Sequence, residues 1–433
     1  MHTLTTTDFL VFFVYFVIIV GYGFWIYKRK QKESLNSQDY FLAEGSLTWW
    51  AIGASLIASN ISAEQFIGMS GSGFKMGLAI ATYEWMSAAV LILVAVFFMP
   101  VYLKNKISTM PQYLKKRYNG QVAMIMAVFW LMLYVFVNLT AILYLGALAI
   151  SSISGLNLFF CIAFLAIFAV IITLGGMKVI GYTDVIQVFF LILGGLVTTY
   201  LAVDLVAKEF GGSGVLDGLS YLKSHAGDHF HMIFDKSNSN YMDLPGLSVL
   251  IGGMLIINLN YWGCNQYITQ RALAAKSLDE AQKGMIFAGF LKLLMPLIVV
   301  IPGIAALVIV NQGTDLGFIE TMKDPVTGLI KSDRAYPSLL QILPTGLKGL
   351  AFAALTAAIV SSLASMANST STIFTMDIYA KYFGKNSSEA GKVRVGRITA
   401  VVAFIIAALV APALGQLDQA FQFIQEYTGF ISP

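Results

Sequence analysis

The stretch Ala58-Ser59-Asn60-Ile61-Ser62-Ala63-Glu64-Gln65-Phe66-Ile67-Gly68 decides how this chain is read. It sits in the middle of an apolar run, residues 47–71, that is long enough to cross a bilayer, yet it carries Ser59, Asn60, Ser62, Glu64 and Gln65. In hydrocarbon every backbone polar group needs an internal partner, so irregular backbone at membrane depth survives only where protein buries it or a cavity wets it. The stretch therefore predicts an unwound helix over residues 59–65, lining a polar cavity. The plain alternative is that these hydroxyls and amides only bind neighbouring helices together.

The surrounding composition supports a membrane setting. Of 433 residues, 58% are hydrophobic and 12% charged, about half the charged share of an ordinary globular domain. Eleven apolar stretches recur, over residues 9–27, 47–71, 78–103, 121–150, 156–174, 182–206, 247–270, 284–310, 346–378, 395–414 and 417–433. Most have the roughly 20 residues a helix needs to cross a hydrocarbon core. The last is seventeen residues long, which is short for a crossing, so the chain is expected to be a fragment or a truncated form. The first has no basic segment before it and no small-residue cleavage site after it. It reads as a retained leader helix with its N-terminus outside. Alternate loops hold eighteen of the 27 Lys and Arg residues on one side and eight on the other, leaving Lys292 within a span. That asymmetry orients the chain by the positive-inside rule, and the net charge of +4 reflects topology rather than nucleic-acid binding. Cys161 and Cys264 both fall in apolar segments and imply no disulfide framework.

A second span is interrupted in the same manner. Residues 251–271 contain Gly252, Gly253, Asn258, Asn260, Gly263, Asn265 and Gln266. With residues 9–27 counted as a leader, the two interrupted spans are core helices one and six. Five helices separate their starts, and five is odd, so the two halves enter the membrane in opposite directions. That is the arithmetic of an inverted repeat whose paired discontinuous helices hold substrate and ion near the midplane. Other polar groups lie at span depth: Glu84, Asn138, Lys292, Gln422, Gln425 and Glu426. An ionisable residue there costs about 2.5–3.5 kcal/mol on insertion scales, and Glu84 and Lys292 can offset each other. Lys292 also reads as a structural pair or a snorkelling lysine, and Pro296 as a kink. In residues 347–378, small residues at Ala354, Ala358 and Ser362 allow close helix approach. Ala358, Ser361 and Ser362 share one face, and opposite the carbonyls of Ala58 and Ile61 they make five neutral oxygens suited to a small hard cation.

The motifs "ASNISAEQFIGMSGSGF", "YEWMSA", "FVNLT", "TDVIQVFF", "YWGCNQYITQRALAAKS", "AAIVSSLASM", "STIFTMDIY" and "FQFIQEYTG" closely resemble the sodium/solute symporter family, and within it the bacterial sodium/galactose (sodium/glucose-type) symporters. The resemblance runs over essentially the whole chain. It implies an all-α polytopic membrane protein with a leucine-transporter-like fold: a leader helix, then a 5+5 inverted repeat with discontinuous core helices 1 and 6, here with the last core helix incomplete and later helices missing. The implied division is a single transmembrane transporter domain over 1–433, with a leader and cytoplasmic loop over 1–46, a first repeat over 47–210, an outer loop over 211–245 and a second repeat over 246–433.

By resemblance, the sugar hydroxyls are held by Gln65, Glu84, Asn258, Lys292 and Gln425, with Asn60, Ser87 and Asn138 in or near contact. Amides that donate and accept, an acceptor carboxylate and a donor ammonium each suit a hexose. Tyr261 corresponds to the aromatic that stacks on the ring and closes the inner exit, supported by Trp262; an anchoring role at the membrane interface is the alternative for such a tyrosine. Met69, Tyr83 and Phe421 match an outer hydrophobic gate. The metal is sodium, held by backbone oxygens of Ala58, Ile61 and Ala358 and hydroxyls of Ser361 and Ser362. Asp184 matches a carboxylate on the ion's way to the cytoplasm, although "GYTDVIQ" also reads as the start of a helix that Thr183 and Asp184 cap. Asn260 stands where relatives are expected to have an aromatic. The implied function is sodium-coupled symport of a hexose, galactose or glucose, by alternating access across the cell membrane, the inner membrane of a bacterium. Symport of another polyol or a sugar acid, or a sugar sensor or pore, are the rivals.

An enzyme fits poorly. "GMSGSG" at residues 68–73 has no strand before it and no Walker lysine after it. His225, His229 and His231 lie in an outer loop with no other metal-ligand pattern beside them. "NLT" at Asn138 and "NST" at Asn368 fall within spans and are not glycosylation sites.

Overall fold

The computed structural model describes residues 4–416 apart from 31–35, 63, 242, 245, 314 and 325–326. Among the described residues the chain is helical throughout, and β pairing is limited to isolated bridges, Leu47 with Ala275 and Lys323 with Ile330. Among the described residues, eight helical stretches are long and apolar enough to cross a membrane. The count falls below eleven for physical reasons. The helix Trp49–Asn60 has only 12 residues because it is half of a broken span. Its other half continues through a turn at Gly77 into the next span, so the two merge as Gln65–Lys104. Gly77 permits that turn with φ +71°, and a Cβ there would lie 2.2 Å from the His229 carbonyl oxygen. Leu158–Leu174 is a shorter apolar helix, and the stretch 417–433 lies outside the described residues.

Both interrupted spans are broken, but over fewer residues than the polar pattern predicts. The first helix runs on through Ser59 and Asn60 and opens only at Ile61, with φ −87° and ψ 106°. Ser62 is also outside the helix, and turns are described again from Glu64, in the π-helical Glu64–Gly68 and the α-helix Met69–Met76. The second break narrows to Asn265, with φ −82° and ψ 118°, between the π-helical Asn260–Cys264 and the helix Gln266–Leu273. Polar side chains inside a helix do not unwind it when they bond back to their own turn. Ser59 donates to the Ser55 carbonyl at 2.7 Å, and Asn258 to the Met254 carbonyl at 2.9 Å. Asn265 caps the half-helix after it by accepting from the Tyr267 amide at 3.1 Å, and the Tyr134 hydroxyl donates to the same Asn265 oxygen.

The two broken spans are tied at one end. The Leu47 amide bonds the Ala274 carbonyl at 3.1 Å, and the Lys276 amide bonds the Leu47 carbonyl at 3.0 Å. Glu280 caps the first span there, accepting from the Trp49 amide at 2.5 Å. The long span Leu278–Gln312 braces both halves of the first broken helix through glycine contacts. Below the break, a Cβ on Gly53 would sit 2.8 Å from the Gly284 carbonyl; above it, a Cβ on Gly303 would sit 2.0 Å from the Ser70 carbonyl. This brace passes Pro296 as helix and turns at Val300, ahead of Pro302 at the start of Ile301–Gln312. Pro296 lies inside Leu278–Val299, and Pro302 stands in the first turn of Ile301–Gln312, where its missing amide hydrogen costs no helical bond.

The helix Leu347–Ile373 is the most deeply enclosed, with every residue from Ala351 to Ile373 buried. Its alanines and serines leave room for neighbouring backbones to approach. On the face of the molecule away from the paired ends, short helices Gly214–His225 and Ala335–Gln341 occupy the long connections. There His229 places a ring nitrogen 3.2 Å from the Phe74 carbonyl, and Lys75 pairs with Asp243 at 2.9 Å.

Candidate functional site

Two polar clusters form beside the breaks. In the first, Lys292 donates to Glu84 at 2.6 Å, and their side chains are 1% and 3% exposed. The Gln65 amide donates to the other Glu84 oxygen and, at 2.8 Å, to the Met69 sulfur. Lys292 also lies 5.5 Å from the centre of the buried Trp262 ring. Close by in the chain, Ser87 donates to Asn258 at 2.6 Å, and the Asn60 amide donates to the Tyr261 hydroxyl at 3.1 Å. Tyr261 meets Trp262 edge to face at 5.2 Å. Gln65, Glu84, Asn258, Lys292, Tyr261, Asn60 and Ser87 thus come from both broken spans and the two helices that brace them. A buried acid and base so paired avoid the cost of an isolated charge, while amides and hydroxyls around them remain exchangeable for other polar partners.

The remaining predicted residues are placed less tightly. The Asn138 side-chain oxygen Oδ1 is buried without a hydrogen-bond partner among the described residues. Tyr83 is 37% exposed and contributes its carbonyl to the Ser87 hydroxyl. Gln425 and Phe421, with Gln422 and Glu426, lie outside the described residues.

The second cluster sits where Trp49–Asn60 ends. The final carbonyls of a helix have no partner within it and carry the negative end of its dipole. Here they meet Leu347–Ile373: Ser362 donates to the Ser59 carbonyl at 2.9 Å and lies 3.4 Å from the Ala58 carbonyl. Ser361 donates to Asp184 at 2.6 Å, and Ser55 donates to the other Asp184 oxygen at 2.5 Å. Ala58, Ile61, Ala358, Ser361 and Ser362 are all buried. Oxygen donors alone, next to a carboxylate, are the chemistry of a small hard cation.

Two expectations need correction at this cluster. Asp184 does not cap a helix: it lies well inside Met177–Glu209, and Thr183 spends its hydroxyl on the Val179 and Ile180 carbonyls at 2.9 and 3.0 Å. Arg271, counted as a loop cation in the charge asymmetry, is buried at 1% exposure. Its Nε donates to the carbonyl and hydroxyl of Ser55 at 3.1 and 3.0 Å. Sequence reasoning also passed over Ser55, Ser365 and Tyr267. Ser365 pairs with the Ser59 hydroxyl at 3.2 Å, and the Tyr267 hydroxyl donates to the Ser59 carbonyl. Spacing within "ASLIASN" and "SSLAS" puts these serines a turn from their partners, and that periodicity is the signal that would have found them.

A leader helix followed, among the described residues, by nine core crossings, with the first and sixth broken and polar groups gathered at the breaks, defines a secondary transporter of the leucine-transporter-like class. Solved structures agree on the fold. A substrate-bound, outward-open Na+-coupled sialic acid symporter aligns with a TM-score of 0.83 at 23% identity, over 98% of this chain and 85% of that one. MhsT in complex with L-phenylalanine aligns with a TM-score of 0.55 at 16% identity, over 88% and 84%. The family model "Sodium:solute symporter family" matches residues 40–433. The sodium/glucose cotransporter of Vibrio parahaemolyticus is 55% identical over the whole of this chain and 79% of its own length. The sodium/myo-inositol cotransporter 2 of Bos taurus is 34% identical over the whole of this chain and 65% of its own. The chain belongs to the sodium:solute symporter family. That places it among multi-pass membrane transporters that couple a solute to sodium, and outside the enzymes. It spans about two thirds of the length of the mammalian relatives it matches.

Proposed function

We propose that this protein carries a hexose, galactose or glucose, into the cell together with sodium by alternating access. The observation that carries the reading is the buried Gln65–Glu84–Lys292 chain of hydrogen bonds beside Trp262. A sugar hydroxyl both donates and accepts, so it can replace either link without stranding the acid or the base. Asn258, Ser87, Asn60 and Asn138 supply further neutral partners, Gln425 another, and the Tyr261 ring offers a flat face to the pyranose. The sodium/glucose relative at 55% identity supports a hexose over other solutes. The myo-inositol cotransporters at 34% identity support a polyol as the second reading.

Sodium binds at the end of Trp49–Asn60, to the carbonyls of Ala58, Ile61 and Ala358 and the hydroxyls of Ser361 and Ser362. There it joins the first broken helix to Leu347–Ile373 and favours the outward-facing form. Sugar then closes Met69, Tyr83 and Phe421 over the site; departure of sodium past Asp184 loosens the first helix, and Tyr261 swings from Asn60 to open the inner exit. In this reading residues 47–210 and 246–433 are the two repeats, 1–46 the leader and its loop, and 211–245 the outer connection. The chain lies in the cytoplasmic membrane, the inner membrane of a bacterium, with its N-terminus outside, following the positive-inside bias. One charge crossing 100 mV releases about 2.3 kcal/mol, and tenfold accumulation needs about 1.4 kcal/mol, so one sodium supports roughly 40-fold accumulation.

The test is uptake of labelled galactose by the chain in proteoliposomes under an inward sodium gradient, with glucose and myo-inositol as competitors. Accumulation above the outside concentration that glucose blocks better than inositol supports the hexose. Preferential block by inositol selects the polyol reading; equilibration without accumulation would make the protein a pore or sensor.

A further inference from the structure

Asp184 and Arg271 are each 1% exposed, and four helices meet around them. Asp184 comes from Met177–Glu209 and Arg271 from Gln266–Leu273, the half-helix after the second break. They do not pair directly. The Ser55 hydroxyl stands between them, donating to Asp184 at 2.5 Å while accepting from Arg271 Nε at 3.0 Å. Asp184's other oxygen accepts from Ser361 at 2.6 Å. Arg271 bonds the Tyr267 carbonyl through Nη1 and lies 5.4 Å from that ring's centre, while Nη2 is buried with no hydrogen-bond partner among the described residues.

A hydroxyl orients a buried carboxylate but does not cancel its charge, whereas a nearby cation balances it. The cluster contains one, held a single hydroxyl away. Sodium entering beside Ser361 brings a second positive charge to a region that Arg271 already balances, and the two cations repel across a poorly screened interior.

We infer that Arg271 is the protein's own stand-in for sodium: acting through Ser55, it balances Asp184 while the ion site is empty and so holds sodium affinity low enough for release. Arg271 is a positioning residue that touches neither ion nor sugar. Because it rides on one broken helix and Ser55 on the other, any motion of one half-helix against the other changes how strongly Asp184 is balanced. This links ion occupancy to the breaks through one identifiable contact. The inference rests on the sodium site of the preceding reading.

Its test is equilibrium binding of radioactive sodium to the purified full chain in lipid nanodiscs, without sugar, alongside the rate of sodium release on dilution. Arg271→Gln is expected to tighten sodium binding by about fivefold or more and to slow its release. Arg271→Lys, which keeps the charge, is expected to stay within about twofold of the parent, a small change on that scale. Ser55→Ala breaks the bridge without changing any charge and is expected to shift affinity in the same direction by less. A purely structural arginine predicts the opposite sign, with R271Q weakening binding. Sodium binding by R271Q no tighter than the parent overturns the inference. Where R271Q does not fold, S55A decides alone, and unchanged or weakened affinity in it has the same consequence. Failure of the parent itself to bind sodium overturns the sodium site as well as this inference.

Discussion

Lys292 reaches across from the bracing span Leu278–Val299 to place its ammonium 2.6 Å from the carboxylate of Glu84, in a setting where neither side chain has appreciable contact with solvent. Each partner makes the other tolerable. Glu84→Gln or Lys292→Met leaves one charge unbalanced, a loss of about 3–5 kcal/mol. Each single variant is expected to lower the unfolding temperature in detergent markedly, and the double variant to recover most of it. Sugar binding should be lost in all three. A double variant no more stable than the singles would show that the two charges do not compensate each other.

The Asn60 amide donates to the Tyr261 hydroxyl at 3.1 Å, joining the two broken spans at the proposed inner exit. Tyr261→Phe keeps the ring for stacking and removes a link of about 0.5–1.5 kcal/mol. Efflux of sugar from preloaded liposomes is expected to quicken several-fold while binding changes little. Equal efflux from the parent and Y261F would remove Tyr261 from the gate.

Ser361 and Ser362 place hydroxyls on Asp184 and on the carbonyls of the first broken helix. Ligation of a charged group through such a contact contributes about 1.5–3 kcal/mol. Ser361→Ala and Ser362→Ala are each expected to raise the sodium concentration for half-maximal uptake roughly tenfold or more. Sugar affinity at saturating sodium should stay close to the parent's. A half-maximal concentration unmoved in both variants would place sodium elsewhere.

The brace depends on backbone contact at Gly303, where a Cβ would lie 2.0 Å from the Ser70 carbonyl. Gly303→Ala forces that crossing apart, an overpacking cost of about 1–3 kcal/mol or more. Gly21→Ala, with nothing within 4 Å of the new carbon on the leader helix, is expected to be neutral or slightly stabilising. Thermal unfolding of the two variants side by side makes the comparison. Equal unfolding temperatures would mean that the crossing is not a tight one.

Much of the architecture is legible in the chain because hydrocarbon punishes unpaired polar groups. The polar residues at 59–65 and 258–266 mark broken helices for that reason. The extent of each break is not legible in the same way. Ser59 and Asn258 look like disruption in a hydropathy reading, yet each bonds the carbonyl four residues back and prolongs its helix. Thr183 misleads similarly: its hydroxyl serves an internal turn, so the helix starts earlier, at Met177.

Arg271 marks where reading by position ends. A basic residue at the edge of an apolar run looks like a loop cation, since lysines and arginines collect there. Only the tertiary structure folds "YITQR" back as a half-helix and carries its arginine to Ser55 and Asp184. What the sequence alone determined is the set of crossings, the two breaks and the residue types near them, because local hydropathy and backbone pairing act over one helix at a time. That Glu84 and Lys292 can offset each other is legible from two ionisable residues at span depth, and the structure pairs them; that they meet in direct contact at 2.6 Å was decided by helix packing, across a separation of 208 residues. Close contact between charges so far apart in the chain depends on how whole helices cross, and no local pattern encodes that.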